Sequence, residues 1–245
     1  MVDYLALLGL SLVWFLGVGF GGHRLLALTN RLRPGRQVAL WLMSLYSLVM
    51  SLLTGLATSI VLSVLAWHSL HAITPGRSNL WFVVLVSILP WVTLGAIAAL
   101  AGTLLTRLDP ARQAARAVGE LLHQRRATTS SFEGLGVQKV ETEIPLALVA
   151  DGGRKPMLLI STGADAVLTE VEMSAVLWHE YAHAIYQHNG IKRVAATAAA
   201  LAPKLPLARL MPNAIHGLCE SWADEFALAR VSEEDLTCAR TKMHF

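Results

Sequence analysis

The chain has 245 residues, of which 54% are hydrophobic and 15% are charged, and its formal net charge is +3. A mean hydropathy of +0.51 excludes an ordinary soluble globule, and the length allows a membrane anchor plus one modest soluble domain. Only six formal charges precede Arg107, so the two halves of the chain face different solvents. Because many of the arginines flank apolar runs, we attribute the basic excess to membrane topology and expect no nucleic-acid binding.

Three apolar stretches are long enough to cross a bilayer, which requires about 20 residues. They run from about Tyr4 to Phe20, within Val38–Trp67, and from about Leu80 to Leu105. The second exceeds one perpendicular span, so it should tilt or project from the membrane. We therefore expect a transmembrane region over residues 1–106. Its first span should be a retained anchor, because it lacks a basic start and a small-residue cleavage site.

The charges of the loops predict the orientation of these spans. Four arginines lie in the first loop and five follow the third span, whereas the second loop carries only Arg77. Because basic residues are enriched on the cytoplasmic side, we expect a multi-pass protein of the cell membrane with its N-terminus outside. The C-terminal half is then cytoplasmic, where Cys219 and Cys238 should be reduced thiols.

After the spans, residues 107–136 are predicted to form a connector and residues 137–245 a separate domain. The connector should end in a turn or linker over residues 128–136, where Ser, Thr and Gly cluster. Two short strands are predicted next, Ile144–Val149 and Met157–Ser161, because each is a short apolar run bounded by turn residues.

A helix is predicted after these strands. Thr169 and Glu172 have the spacing of a capping box, which satisfies the free amide groups at a helix start. The helix should run to about Gln187 and end at Asn189-Gly190.

A further helix is predicted from about Asn213 to Arg230. The apolar run Val194–Leu210 before it is not expected to cross the membrane, because two prolines and two basic residues interrupt it. The fold class is therefore α+β: an N-terminal bundle of about three transmembrane helices, followed by a mostly helical domain with a small sheet.

The motif His179-Glu180-Tyr181-Ala182-His183 falls inside the capped helix. Residues four apart share one helical face, so both imidazoles can bind one metal ion. Glu180 projects about 100° away, where it can hydrogen-bond a water molecule activated by the metal. Zinc lowers the pKa of such a water to about 7, and a carboxylate can accept its proton as it attacks a peptide carbonyl. Glu180 is thus the candidate catalytic base.

Glu220 and Asp224 share one face of the later helix. Catalytic zinc normally takes three protein ligands and leaves one position for water, so Glu220 is the candidate third ligand. Asp224 would then accept a hydrogen bond from the far nitrogen of a ligand histidine. The alternative is an ordinary solvated acidic face.

Two further histidines flank these positions. His216 precedes Glu220 by four residues, so it is a candidate substitute ligand or transition-state donor, but a surface or packing role is favoured over either. His188 lies five positions after His183, off the ligand face of an ideal helix, and is expected to face solvent.

The pattern His179-Glu180-x-x-His183 followed by Glu220-x-x-x-Asp224 resembles that of membrane gluzincin peptidases. These include the HtpX and CAAX-protease type and the BlaR/MecR antirepressor type, and the three spans and short ligand gap favour the latter. The run from Leu158 to Gly163 is similar to the strand and turn before the active-site helix in these families. The resemblance implies a zincin-like catalytic domain, one zinc ion per chain, and Glu220 as third ligand.

The sequence therefore predicts a membrane-bound zinc endopeptidase whose partners are a protein or peptide substrate and the lipid bilayer. Leu158, Leu159 and Ile160 are the candidate edge strand to which an extended substrate adds. Cleavage of a regulatory target such as a repressor and general quality control of membrane proteins are both open. A non-catalytic membrane scaffold of the same fold is the alternative from another class. A transporter is disfavoured, since the second and third spans carry no formally charged residue.

Overall fold

The computed structural model describes residues 2–72, 126–150 and 156–243, together with isolated positions between 84 and 102. The chain divides into two compact units. The first unit comprises Met1–Leu32, Ala39–Arg107 and Thr197–Met211, and the second comprises Arg33–Val38, Leu108–Ala196 and Pro212–Phe245.

Two long apolar helical segments occupy the N-terminal part of the chain. Their elements are α1 (Val2–Leu16), a π-helical turn (Gly17–Gly21), α2 (Gly22–Ala27) and α3 (Pro34–Ala72). Within them, Asp3–Ala27 and Pro34–Leu65 are each long and apolar enough to cross a membrane. The first two predicted spans are thus helices of suitable length and composition. The third predicted span, about residues 80–105, lies outside the described residues apart from isolated positions.

The surface of these helices is mostly apolar. Only 17% of the most apolar window in the first segment and 28% in the second are buried. Leu10, Val13 and Leu25 are each more than 60% exposed, as expected of side chains that face lipid. One polar contact joins the two segments: the Ser51 hydroxyl donates a 2.6 Å hydrogen bond to the carbonyl of Ser11. Such interhelical bonds are typical of helices that associate in a bilayer.

The second unit contains a mixed four-stranded sheet with the order β1-β2-β4-β3. Its strands are β1 (Arg126–Phe132), β2 (Leu135–Val140), β3 (Ala147–Ala150) and β4 (Met157–Ser161). The β2–β4 pair is parallel, and the other two pairs are antiparallel. The helices that follow are α4 (Thr162–Val167), α5 (Glu170–Ile185), α6 (His188–Leu201), α7 (Pro206–Leu228) and α8 (Glu233–Met243).

The sheet corrects two predictions. Residues 126–132, predicted to lie in the connector and its terminal turn or linker, form strand β1 and pair with β2. The predicted edge strand Leu158, Leu159 and Ile160 belongs to β4, which lies in the interior of the sheet between β2 and β3. All three side chains are buried, and both backbone edges of β4 are paired, so no substrate can add there.

Helix α5 begins as predicted. The Thr169 hydroxyl accepts from the amide of Glu172, and the Glu172 carboxylate accepts from the amide of Thr169, which completes the capping box. The helix ends earlier than predicted, at Ile185, because Gln187 adopts a left-handed conformation with φ of 53°. Asn189 and Gly190 do not end α5 but lie in the first turn of α6.

The core of the second unit packs α5 against the sheet. Val137 from β2, Leu158 from β4 and Val176 from α5 are buried in one apolar cluster, which Met243 from α8 joins. This packing fixes one face of α5 against the core. Ala175, Val176 and Ala182 on this helix are fully buried. Their burial fixes the rotation of the helix about its axis, and with it the direction of the two motif histidines.

Candidate metal centre

The two motif histidines converge on one point. His179 and His183 lie on consecutive turns of α5, and their side chains are 1% and 8% exposed. The Nε2 atoms of the two rings are 3.1 Å apart. Two imidazole nitrogens at this separation repel each other when both are unprotonated, so the arrangement requires either a proton or a cation between them.

Glu220 from α7 completes this group. Its Oε2 atom lies 3.4 Å from Nε2 of His179 and 3.6 Å from Nε2 of His183. Tetrahedral bonds of about 2.0–2.1 Å place two ligand atoms about 3.3 Å apart, so the three observed separations fit one metal ion. Among the residues that the structure describes, His179, His183 and Glu220 form the group that can hold a metal ion.

His179 is supported from behind by Asp224. Its Nδ1 atom lies 3.0 Å from Oδ1 of Asp224, and this carboxylate also pairs with Arg240 of α8. Burial alone would lower the pKa of His179, but the contacts with Asp224 and Glu220 outweigh it and raise the pKa to about 9. The predicted role of Asp224, as acceptor for the far nitrogen of a ligand histidine, matches its position.

Glu180 follows His179 directly on α5 and is not one of the three residues of the metal group. Burial is the main cause that raises the pKa of its carboxyl to about 7, and the nearby Glu220 carboxylate adds to the rise. The backbone amide of Val149 in strand β3 donates a hydrogen bond to this carboxylate. The Val149 carbonyl in turn accepts a 3.2 Å hydrogen bond from Nδ2 of Asn189. Strand β3 therefore lies against the candidate base.

Lys192 holds the other oxygen of Glu220. Its Nζ atom on α6 lies 2.8 Å from Oε1 of Glu220. Although burial acts to raise the pKa of Glu220, the contacts with His179, His183 and Lys192 hold it well below its usual range. Glu220 is thus ionised, with Oε2 directed at the histidines and Oε1 at the lysine.

His188 is placed differently from the prediction. It was expected to face solvent, but its side chain is fully buried, and its Nδ1 atom lies 2.8 Å from Nδ1 of His183. The left-handed Gln187 ends α5 and turns the chain, so His188 starts α6 and points back at the metal group. Burial, with a smaller effect of His183, lowers the pKa of His188 to about 3, so the ring is neutral at physiological pH.

His216 is not part of the group. Its side chain is 67% exposed, and its Nδ1 atom lies 3.9 Å from Oε1 of Glu220. The sequence reasoning missed Lys192, Val149 and the role of His188. A helix that starts at His188 would have placed Lys192 one turn further along and on the same side. No sequence signal identified the backbone amide of Val149.

No protein-family model matches this chain, and a search of curated proteins found no match.

Proposed function

We propose that this chain is a membrane-anchored, zinc-dependent endopeptidase of the gluzincin type. The observation that carries the proposal is the convergence of two histidines and one glutamate on one point, with the partly buried carboxyl of Glu180 beside them. Two histidines and a glutamate are a donor set that catalytic zinc takes in peptidases, with the fourth position left for water or substrate. In this proposal the second unit is a zincin-like catalytic domain with one zinc ion.

Each residue of the group has a defined task in peptide hydrolysis. His179, His183 and Glu220 would hold the zinc ion, which when bound would polarise a substrate carbonyl and lower the pKa of water to about 7. Glu180 accepts a proton from the water that attacks the carbonyl and transfers a proton to the leaving amine nitrogen. In the metal-free protein, burial raises the pKa of the Glu180 carboxyl to about 7. The positive charge of a bound zinc ion would lower this pKa and favour the ionised form, which can accept the proton.

The remaining contacts orient the ligands. Oδ1 of Asp224 lies 3.0 Å from Nδ1 of His179, where it can accept the Nδ1–H and leave Nε2 to bind the metal. Lys192 keeps Glu220 ionised and directs its second oxygen towards the histidines. These contacts support a site that is already formed before the metal binds.

Strand β3 is the edge to which an extended substrate would add. It is the last strand of the sheet on the side of α5, and the amide of Ser161 bonds to the carbonyl of Leu146 at its start. Because the bonding pattern of an antiparallel pair alternates, Ala147 and Val149 direct their backbone groups away from β4. The backbone groups of Val149 are already bonded to Glu180 and Asn189, so a peptide would pair through Ala147 and would there pass close to the base.

The two apolar helical segments supply the membrane anchor in this proposal. Loop charges favour a cytoplasmic catalytic domain, so the substrates are cytoplasmic or membrane-associated proteins. A regulatory target such as a repressor and general membrane-protein quality control remain two forms of the same activity.

The metal is tested first. The full-length protein, purified in detergent after loading with zinc, is expected to retain about one zinc ion per chain by elemental analysis. His179→Ala combined with His183→Ala should abolish this binding, whereas Thr237→Ala, at an exposed position on α8, should not change it. Stoichiometric zinc in the double variant would place the metal elsewhere and contradict the proposal.

Activity is tested with a variant that keeps the metal. Glu180→Gln should retain zinc but lose at least about 100-fold in the cleavage rate of fluorescein-labelled casein, because an amide cannot accept the proton of water. Proteomics of cells with wild-type and Glu180→Gln protein would then identify substrates that accumulate with the variant. A zinc-loaded wild-type protein that cleaves neither casein nor any cellular protein would support the scaffold alternative instead.

A further inference from the structure

The two motif histidines have different residues next to their Nδ1 atoms, and the one next to His183 is not predicted by the sequence pattern. The other ligand histidine, His179, has a carboxylate behind it, at 3.0 Å from Nδ1 to Asp224. The neighbour of His183 is instead a second imidazole: Nδ1 of His183 lies 2.8 Å from Nδ1 of His188. Both rings of this second pair are buried.

The protonation states of these two rings follow from the geometry. Nε2 of His183 faces His179 and Glu220, so it is the nitrogen that would bind a metal. A neutral imidazole that binds metal through Nε2 carries its proton on Nδ1, and this N–H group must donate a hydrogen bond. The atom within reach is Nδ1 of His188, which must then be the unprotonated nitrogen of its own ring.

Aromatic side chains pack around the His188 ring. Its centroid lies 5.9 Å from the Tyr186 ring and 5.2 Å from the Trp222 ring. Tyr186 and Trp222 stack on each other at 4.2 Å. A Cβ atom added to Gly35 would come within 2.8 Å of the Trp222 ring, so the indole is closely enclosed on that side. The His188 ring is thus fully buried and enclosed by aromatic side chains beside His183.

We propose that His188 is a positioning residue of the metal site, whose Nδ1 atom accepts the hydrogen bond of His183 Nδ1–H and thereby presents Nε2 of His183 to the metal. This inference rests on the proposed function in one respect, that a metal binds at His179, His183 and Glu220. Partners of this kind orient a ligand ring, and their removal typically costs about 10- to 100-fold in metal affinity or activity.

Three substitutions of His188 separate the hydrogen bond from the bulk of the side chain. In His188→Asn, the amide oxygen stands the same number of bonds from the backbone as Nδ1 of histidine, so it can accept the same hydrogen bond. In His188→Gln, the same amide lies one carbon further out. His188→Leu fills the space and removes the acceptor. Thr237→Leu, on the exposed side of α8, is the control for adding a leucine.

Zinc affinity is measured by competition with a chromophoric chelator on the full-length protein in detergent. We expect His188→Leu and His188→Gln to bind zinc about 10- to 100-fold more weakly than wild type. His188→Asn and Thr237→Leu should stay close to wild type. The visible absorption of bound Co²⁺ should also change in the Leu and Gln variants, since it reports the geometry of the ligands and a general loss of stability does not alter it.

The outcomes separate this inference from the function on which it rests. Wild-type protein without stoichiometric zinc would contradict the proposed function and the inference with it. Wild-type protein that binds zinc with the same affinity and Co²⁺ spectrum as His188→Leu would contradict the inference alone. If His188→Leu does not fold, the Asn and Gln variants decide, because equal affinities in these two would also contradict it.

Discussion

Zinc binding should displace about one proton from the protein, because the metal-free site holds His179 in its protonated form. Burial acts against this charge, but Asp224 and Glu220 raise the pKa of His179 to about 9. His183 contributes no second proton, since burial lowers its pKa. A metal ligand must be deprotonated, so the His179 proton has to leave when zinc binds.

The expected magnitude follows from the distance between this pKa and the pH. At pH 7 a pKa of about 9 lies about 2 units higher, and each unit corresponds to about 1.36 kcal/mol. Protonation therefore weakens apparent zinc binding by up to about 100-fold, or about 2.7 kcal/mol, at pH 7. The apparent affinity should rise about 10-fold per pH unit up to about pH 9 and level off above it.

The assay is chelator competition between pH 7 and 8.5 on the full-length Glu180→Gln protein. This background removes a carboxyl whose pKa is raised to about 7 and that would release a proton of its own. It also removes one of the smaller causes that raise the pKa of His179, so the affinity should level off somewhat below pH 9 in this background. Calorimetry in buffers of different ionisation enthalpy counts the protons directly. In Asp224→Asn the slope should decrease, because the main cause that raises the pKa of His179 is lost. If the zinc affinity of the Glu180→Gln protein with Asp224 intact does not change between pH 7 and 8.5, His179 is not protonated in the metal-free site and the reasoning is refuted.

Three further predictions concern folding and topology. Gly163→Ala should destabilise the second unit by about 1–3 kcal/mol or more in chemical denaturation, because the new Cβ would clash with the backbone oxygen of Glu143; an unchanged midpoint would contradict this. Thr169→Ala should cost about 1 kcal/mol by the same assay through loss of the helix cap, and an effect near zero would show that the cap is dispensable. A reporter fused after Phe245 should be cytoplasmic and one inserted between His71 and Asn79 should be outside; the reverse would overturn the loop-charge argument.

The local part of the site could be predicted from the sequence. The capping box at Thr169 and Glu172 fixes where α5 begins, and helical spacing then brings His179 and His183 to one face. The same spacing pairs Glu220 with Asp224 on α7. These inferences hold because each depends on residues within one helix, where the period of 3.6 residues is imposed by the backbone.

Contacts between distant segments could not be predicted in the same way. Strand β2 pairs in parallel with β4, with Val137 opposite Leu158, and no local pattern fixes that register. A signal for the interior position of β4 was nevertheless present. Its run Leu158-Leu159-Ile160 is continuously apolar, which is typical of a strand buried on both faces, whereas an edge strand usually alternates.

The error at His188 has a different origin. The prediction extended the helical period of α5 past its true end at Ile185, and on that period a residue five positions after His183 faces away from the ligands. The left-handed Gln187 breaks the period, and glutamine gives no sequence signal for that conformation, which favours glycine and asparagine. The conformation of Gln187 thus decides whether His188 faces solvent or contacts His183.

The closed geometry of the metal group also restricts the path of the chain through the apolar run Val194–Leu210. Helix α6 ends at Leu201 and α7 begins at Pro206, so the run is interrupted near its middle. The chain leaves the group after His183 and returns to it at Glu220, whose carboxylate lies 3.6 Å from the His183 ring. One crossing would separate these residues by the bilayer thickness of about 30 Å, and a hairpin of two crossings would need about 40 apolar residues. The run has too few residues for two crossings and the wrong geometry for one. We therefore infer that it does not cross the membrane.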